Sequence, residues 1–548
     1  MKTLFARYCV ALIVGVALTS SAWAQWPSDP SLNLALTNTL GDNVQPKILP
    51  LSNGSWYLSW FDNPSRGYGV YAQALDAGGV SLGPQNGKTV ANLKLSSTED
   101  YGLSVDTAGN ELIAFLDDRE NSNIQVTAVK ISPIGQMLWG RLGIQLTNDL
   151  TSSNNDPKIA GTSDGDVVVA WTSNSNVVLQ KLDPNGSPLW GNGVVLTNSQ
   201  SSYTLADLHA TEKGSVIVSW VSSAGFSAPK TLLATKLSAT GGPLWGTQPL
   251  SIYDAGSLQF GEFPYFVPDG SGGAVFSWYS SSPTLQVFAQ HILANGTEAF
   301  PHNGSVGSNN ANDTRVSPTA SYDAATSETF LFWTEEDSNQ VLNGVYGQKF
   351  NSAGAQQWGS NGLVIVPLGS DQQLFVQNVQ TGTGAQVFWV DEPNYDQDTM
   401  NSVRLDGSGN QVCPLSSVSS TVSGKSRLAA AIGPSGLSAV VWQDDRTGND
   451  NIYLQNVNTD CSLGYLPIQC SEIRSGSAHC VNGTLDVNIT LKDLSNDGNS
   501  LTLQVNSVDH TLPIQRKSAM FSAPGQGANT ILLTNPAGCA PQKMVQCP

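Results

Sequence analysis

"KLDPNGSPLWGNGVVLTN", residues 181–198, closes on Leu-Thr-Asn, a phrase that also occurs in "IQLTND" at 144–149 and in "LALTNT" at 34–39. Two copies lie well inside the chain, whereas the third stands near its start with no comparable segment before it. Between such phrases another signature recurs, an apolar run ending in an aromatic residue. It reads "GSWYLSW" to Trp60, "NELIAF" to Phe115, "GDVVVAW" to Trp171, "GSVIVSW" to Trp220, "GGAVFSW" to Trp278, "ETFLFW" to Trp333, "GAQVFW" to Trp389 and "LSAVVW" to Trp442. The intervals are 55, 56, 49, 58, 55, 56 and 53 residues. A fixed period of that length marks a repeat architecture.

Each unit offers four short strands. One follows "PKI" at 46–48 or 157–159, the aromatic strand is next, then a Gln-containing stretch such as "VVLQKLD" (177–183), then "VVLTN". Four strands in 40 to 60 residues is the pattern of a β-propeller blade. The lone N-terminal "LALTN" then has a place. It supplies the missing fourth strand of the eighth blade, which otherwise ends at "NIYLQNV" (451–457), and so removes an open edge. The expectation is an all-β, eight-bladed β-propeller over 25–465, closed by an N-terminal strand and followed by a small Ig-like β-sandwich at 466–548.

The units resemble secreted bacterial β-propeller repeats of the pattern LD-x-NG-x-x-LWG-x-NG-V, clearest at 182–194, and are similar in period to the delta-sixty class. "GQMLWG" (135–140) and "GSPLWG" (186–191) also resemble the Gly-x-x-x-Trp ending of quinoprotein-type blades. The resemblance covers about residues 31–465 and implies a fold, since propellers host unrelated activities.

Lys2 and Arg7 ahead of "CVALIVGVAL", with "AWA" before Gln25, read as a signal peptide over 1–24 cleaved near Ala24, hence a secreted or periplasmic protein. No later apolar stretch is long enough for a membrane span. Without those two cations, 23 Lys and Arg face 43 Asp and Glu, a formal −20, which argues against a nucleic-acid partner. The chain is expected to be a monomer. In an oxidising compartment Cys413, Cys461, Cys470, Cys480, Cys539 and Cys547 are disulfide candidates, the spacings being unlike a zinc site. Equivalent turns suggest Cys413 with Cys461, and a nested order suggests Cys480 with Cys539 and Cys470 with Cys547.

The loops after the aromatic strands are unequal. Asp62 and Arg66, then Asp117, Asp118, Arg119 and Glu120, then Glu335, Glu336 and Asp337, then Asp391, Glu392, Asp396 and Asp398, then Asp444, Asp445, Arg446 and Asp450 fall on blades one, two, six, seven and eight. Ring closure makes those blades contiguous, so an acidic arc is expected on one face. Asp117, Asp118, Arg119, Asp391, Glu392, Asp444, Asp445 and Arg446 are the candidate ligand-binding residues, for a hard cation such as calcium or a basic partner. The competing reading is a set of solvated turns in which each Arg pairs with its own Asp. The tryptophan series has the same duality, sugar-stacking platform or packing between blades.

The five histidines are scattered, and H-E-x-x-H, G-x-S-x-G and P-loop motifs are absent. No catalytic residue and no cofactor is assigned, calcium remaining an option. The favoured function is a secreted, non-catalytic binding module for protein or glycan. The alternative is a carbohydrate-active enzyme, lyase or hydrolase, using carboxylates of the propeller face.

Overall fold

The computed structural model describes residues 25–64, 67–95, 97–119, 123–148, 151–464, 470–492, 500–535, 539 and 541–547. The expected signal segment, Arg66, Glu120 and the junction at 465–466 lie outside these residues. The protein is all-β, its helical content among them being two 3-10 turns. Eight antiparallel sheets follow one another along the chain. Seven have four strands and the fifth carries an extra one. A ninth, seven-stranded sheet follows them. The repeated apolar runs are the second strands, such as Val167–Ser173 and Val216–Ser223. Their β-branched, uninterrupted character reflects burial on both faces.

Successive first strands lie against one another: Asp42–Pro50, Gly102–Val105, Asn154–Gly161, Ser202–Ala210, Phe266–Pro268, Asp313–Asp323, Gln372–Thr381 and Lys425–Ile432, the last also meeting the first. The eighth sheet takes its outer strand from the N-terminus, Leu34 pairing with Leu454 and Ala35 with Tyr453. Thr37 Oγ1 accepts the Ile452 amide at 2.8 Å, and Asn33 Nδ2 donates to the Val418 carbonyl at 2.9 Å. The out-of-frame Leu-Thr-Asn phrase thus joins the two ends of the repeat.

Eight apolar clusters sit between successive sheets, and each contains one aromatic of the series. Phe115 lies in the cluster shared by the first two sheets, Trp171 in the next, and Trp60 in the cluster that joins the eighth sheet to the first, together with Leu34 and Leu36. All eight rings are buried. The series packs sheet on sheet.

The Trp-Gly tryptophans have a different task. Trp139, Trp190, Trp245 and Trp358 each donate Nε1–H to a carbonyl in the next sheet's turn after the third strand, at Pro184, Ala239, Ala294 and Gly407, over 3.0–3.3 Å. Trp26 does the same for the first sheet through Ala77, at 3.0 Å. The glutamine of the third strand sets the ring in place. Gln180 Oε1 accepts the Trp190 amide and its Nε2 donates to the Gly191 carbonyl, and Gln348 repeats this at Trp358 and Gly359.

The C-terminal sheet runs in the order Ile473–Val481, Thr484–Leu491, Ser518–Pro524, Val508–Gln515, Ser500–Val505, Gly527–Asn535, Lys543–Cys547. Leu485, Ile489, Leu503, Ile514 and Ile531 share one core, so the strand Val508–Gln515 serves two packed leaves. Among the described residues three disulfides are present: Cys413–Cys461, Cys470–Cys539 and Cys480–Cys547. The first agrees with the sequence expectation. The other two correct it, because they interleave where a nested order was expected. Folding back brings the last strand, Lys543–Cys547, against the first, Ile473–Val481, which puts Cys547 beside Cys480. Three disulfides suit an oxidising, extracytoplasmic compartment, and no helix among the described residues is long and apolar enough to cross a membrane.

Candidate functional site

Where the first strands converge, the sheets do not close on a flat wall. In six of them the pairing with the second strand is interrupted by a bulge: between Val44 and Lys47, Asn155 and Lys158, Leu205 and Asp207, Val316 and Thr319, Leu374 and Gln377, and Ser426 and Ala429. A bulge adds one residue, bends the strand and re-aims a side chain. In five bulges a non-glycine residue takes a left-handed backbone: Gln45, Asp156, Ser317, Phe375 and Arg427, with φ from 51° to 55°. Such residues carry strain and mark places where the surrounding structure enforces a shape. Pro46, Pro157 and Pro318 follow three of them, and proline has no amide to leave unpaired in the broken ladder.

Five of these bulges border a cleft of about 680 Å³ lined by Asp156, Lys158, Glu262, Phe263, Tyr265, Ser317, Gln377 and Arg427, among others. Asp100 organises one wall. Its carboxylate receives Lys47 Nζ at 2.6 Å, Lys158 Nζ, and the Tyr265 hydroxyl at 2.9 Å from 165 residues away. Burial acts to raise the Asp100 carboxyl, but Lys47 and Lys158 outweigh it and hold it well below the usual range. Lys158 also lies 4.9 Å from the Tyr265 ring centroid, a cation–π contact. In the same cleft, burial pushes Glu262 up to about 8, with one oxygen accepting the Tyr279 amide at 2.8 Å and the other buried without a partner. Asp156 rises to about 6, chiefly through burial and then through Glu99. Phe263 and Tyr265 remain 40% and 59% exposed. Open aromatic faces beside amides and a fixed ammonium suit a ligand with both apolar and polar faces.

The residues singled out from sequence lie elsewhere, at the ends of second strands and the loops after them. Asp117 is buried and holds Arg119 through Nε and Nη2, with Thr127 Oγ1 on the same carboxylate. Asp444 is fully buried and accepts from the Trp442 indole at 2.8 Å, from Arg446 Nη2 at 2.6 Å and from Ser423 Oγ at 2.8 Å, with Lys425 Nζ 3.4 Å away. Glu335 repeats the device with Trp333 and Arg315. Arg446 further stacks 4.0 Å from the Tyr453 centroid. Asp391 accepts Gln373 Nε2, Asp118 caps the Lys94 amide and Asp445 caps the Gly424 amide. Glu392 is raised by burial. Sheets seven, eight and one do bring acids together. Burial first, then Asp42, Asp445, Asp444 and Asp396, lift Asp450 to about 6. Among the described residues no group of three His, Cys, Asp or Glu converges as a metal site.

The cleft residues were missed because reading outward from the aromatic strand favours the loop beyond it. Their one sequence signal is the proline at 46, 157 and 318, placed alike in three first strands.

No protein-family model matches the chain, and no curated protein matches its sequence. Among solved structures, prolyl oligopeptidase B from Galerina marginata superposes with a TM-score of 0.40 at 10% identity over 74% of this chain and 56% of its own, so the match spans little more than half of that protein. An ulvan lyase gives 0.42 at 10% identity over 78% and 96%. The β-propeller domain of the Trilobed protease from Pyrococcus furiosus gives 0.36 at 7% identity over 70% and 97%.

Proposed function

We propose that the protein is an extracytoplasmic, non-catalytic binding module whose first eight sheets form one closed, eight-bladed propeller over 25–465, with a separate sandwich over 466–548. Its ligand is a glycan or a protein segment held in the central cleft. The observation that carries this reading is the exposed Tyr265 ring held against Lys158, with the exposed Phe263 ring lining the same cleft where the first strands meet. Stacking on an aromatic face with hydrogen bonds from neighbouring polar groups is the usual chemistry of sugar and peptide capture. The arc residues Asp118, Asp391, Glu392 and Asp445 belong to this reading as a second, loop-face surface for a basic partner or calcium, supported by the mutual approach of acids around Asp450.

The test is a glycan array and calorimetry on the full chain. Binding that falls about tenfold or more in Tyr265→Ala, with the fold intact, supports the cleft; binding unchanged in that variant overturns it. The alternative, a lyase or hydrolase, draws on Glu262 and Asp156, two carboxyls raised in one cleft and so suited to proton transfer. Bond cleavage of a bound polysaccharide, lost in Glu262→Gln, would replace the binding reading with that one.

A further inference from the structure

Seven of the eight sheets carry a polar side chain at one position of the third strand, directly after its glutamine or the residue equivalent to it: Lys130, Lys181, Lys236, His291, Lys349, Arg404 and Asn456. Several reach into the next sheet. Lys181 Nζ pairs with Asp164 at 2.6 Å and reaches the Gly214 carbonyl, Lys236 Nζ pairs with Glu212 and donates to the Gly272 carbonyl at 2.7 Å, and Arg404 donates to the Thr459 carbonyl at 3.0 Å. The first sheet has Ala74 there. The match is local and close: the Ala74 amide donates to Gln73 Oε1 at 3.0 Å as the Lys181 amide donates to Gln180 Oε1 at 2.9 Å.

The same sheet also lacks a tryptophan of its own facing the second sheet, since Trp26 docks on its turn from the side of the eighth. Gln73 Nε2 donates to the Pro84 carbonyl as Gln180 does to Gly191, which puts Gly83 where Trp190 stands. At these two positions the first sheet carries neither a long polar side chain nor an indole ring, and the Tyr57 hydroxyl takes the Gly109 carbonyl, the counterpart of Gly214, at 2.7 Å. A groove of about 240 Å³ remains, bordered by Tyr57, Ala74, Leu82, Gly83, Lys88, Glu111 and Ile134, and Lys88 makes no ion pair with Glu111. Its rim is apolar and open, Leu82 being 57% and Ile134 89% exposed. Glu111 is 3% exposed, and its Oε1 is buried with no hydrogen-bond partner. The corresponding residue of the third sheet is Val167, so this carboxyl serves no repeated packing role. An unpaired acid in such a place is costly, and an ammonium brought to it removes the deficit.

We propose that this groove is a binding site for a primary ammonium on an unbranched aliphatic stem, as in a lysine side chain of a partner or a free alkylamine, with the stem between Leu82 and Ile134 and the ammonium on Glu111. Burial holds the Glu111 carboxyl well above the usual range, so uptake of the ammonium releases a proton. This site is distinct from the central cleft and stands or falls independently of it.

Calorimetry of the full chain with n-pentylamine and with Nα-acetyl-lysine amide, in two buffers of different ionisation enthalpy, tests the proposal. The expected result is saturable binding with proton release, weakened about tenfold or more in Glu111→Gln because a charge-assisted contact is lost. Ala74→Lys should fill the groove from within, raising the melting temperature and abolishing amine binding. Absence of binding at millimolar amine, equal binding of 1-pentanol, or affinity unchanged in Glu111→Gln would each overturn it.

Discussion

Cys413 and Cys461 are bonded across 48 residues, at the junction of the seventh and eighth sheets, where Trp190 and Ala239, 49 residues apart, share a hydrogen bond between the third and fourth. A covalent link thus stands where a side chain-to-carbonyl contact serves elsewhere. Replacing both cysteines by alanine should cost about 2–5 kcal/mol, against about 1 kcal/mol for removing the single hydrogen bond in Trp190→Phe. Denaturant unfolding of both variants checks the ratio.

Deleting residues 31–38 should strip Leu34, Leu36 and Thr37 from the eighth sheet and expose the edge at Leu454. A fall in the melting temperature of the whole repeat is expected. Unchanged melting would mean that the two ends of the repeat are held together by other contacts.

Trp171→Ala removes a buried ring from the cluster between the second and third sheets and should cost about 3–5 kcal/mol. Thermal unfolding measures it, and binding of any cleft ligand should be unaffected at temperatures where the variant is folded.

Asp444→Ala and Asp445→Asn should separate two kinds of acid that are adjacent in sequence. The first strands Lys425 and Arg446 in a buried site and should destabilise by about 3–5 kcal/mol. The second, combined with Asp118→Asn, should change stability by less than about 0.5 kcal/mol and, if the arc takes calcium, abolish the heat seen on titrating the wild type with that ion.

Glu262 gives a signed pH dependence. Its folded value of about 8 exceeds the ordinary carboxyl value, so between the two the folded state holds a proton that the unfolded state has released. Stability from this group is complete below the unfolded pKa and declines as pH rises towards about 8. Glu262→Gln should flatten that decline in melting temperature measured across the same interval.

Much of the architecture was legible in the sequence because packing between sheets imposes one residue type at one spacing. A ring at the end of every second strand fills one intersheet cluster, from Phe115 to Trp442, so the period of the rings is the period of the sheets. The misplaced Leu-Thr-Asn phrase likewise carried the pairing of Leu34 with Leu454, since a fourth strand without its three predecessors has only one open edge to join. Cys413–Cys461 followed from two cysteines falling between the third and fourth strands of neighbouring units.

Tertiary structure alone decided the rest. The sandwich disulfides depended on which strands face each other after the sheet folds back, and order along the chain does not encode that. The charge on a loop says nothing about burial, so Asp444 and Asp445 read alike although one is enclosed by three donor side chains and a lysine while the other caps a backbone amide at 2.7 Å. The cleft was hidden because Asp100, Lys158 and Tyr265 come from three distant segments, joined only when the first strands converge, and a repeat is recognised by what its units share. Ala74, Gly83 and Glu111 are departures from the repeat, and their meaning as one groove appeared only when the neighbouring sheet was set beside them.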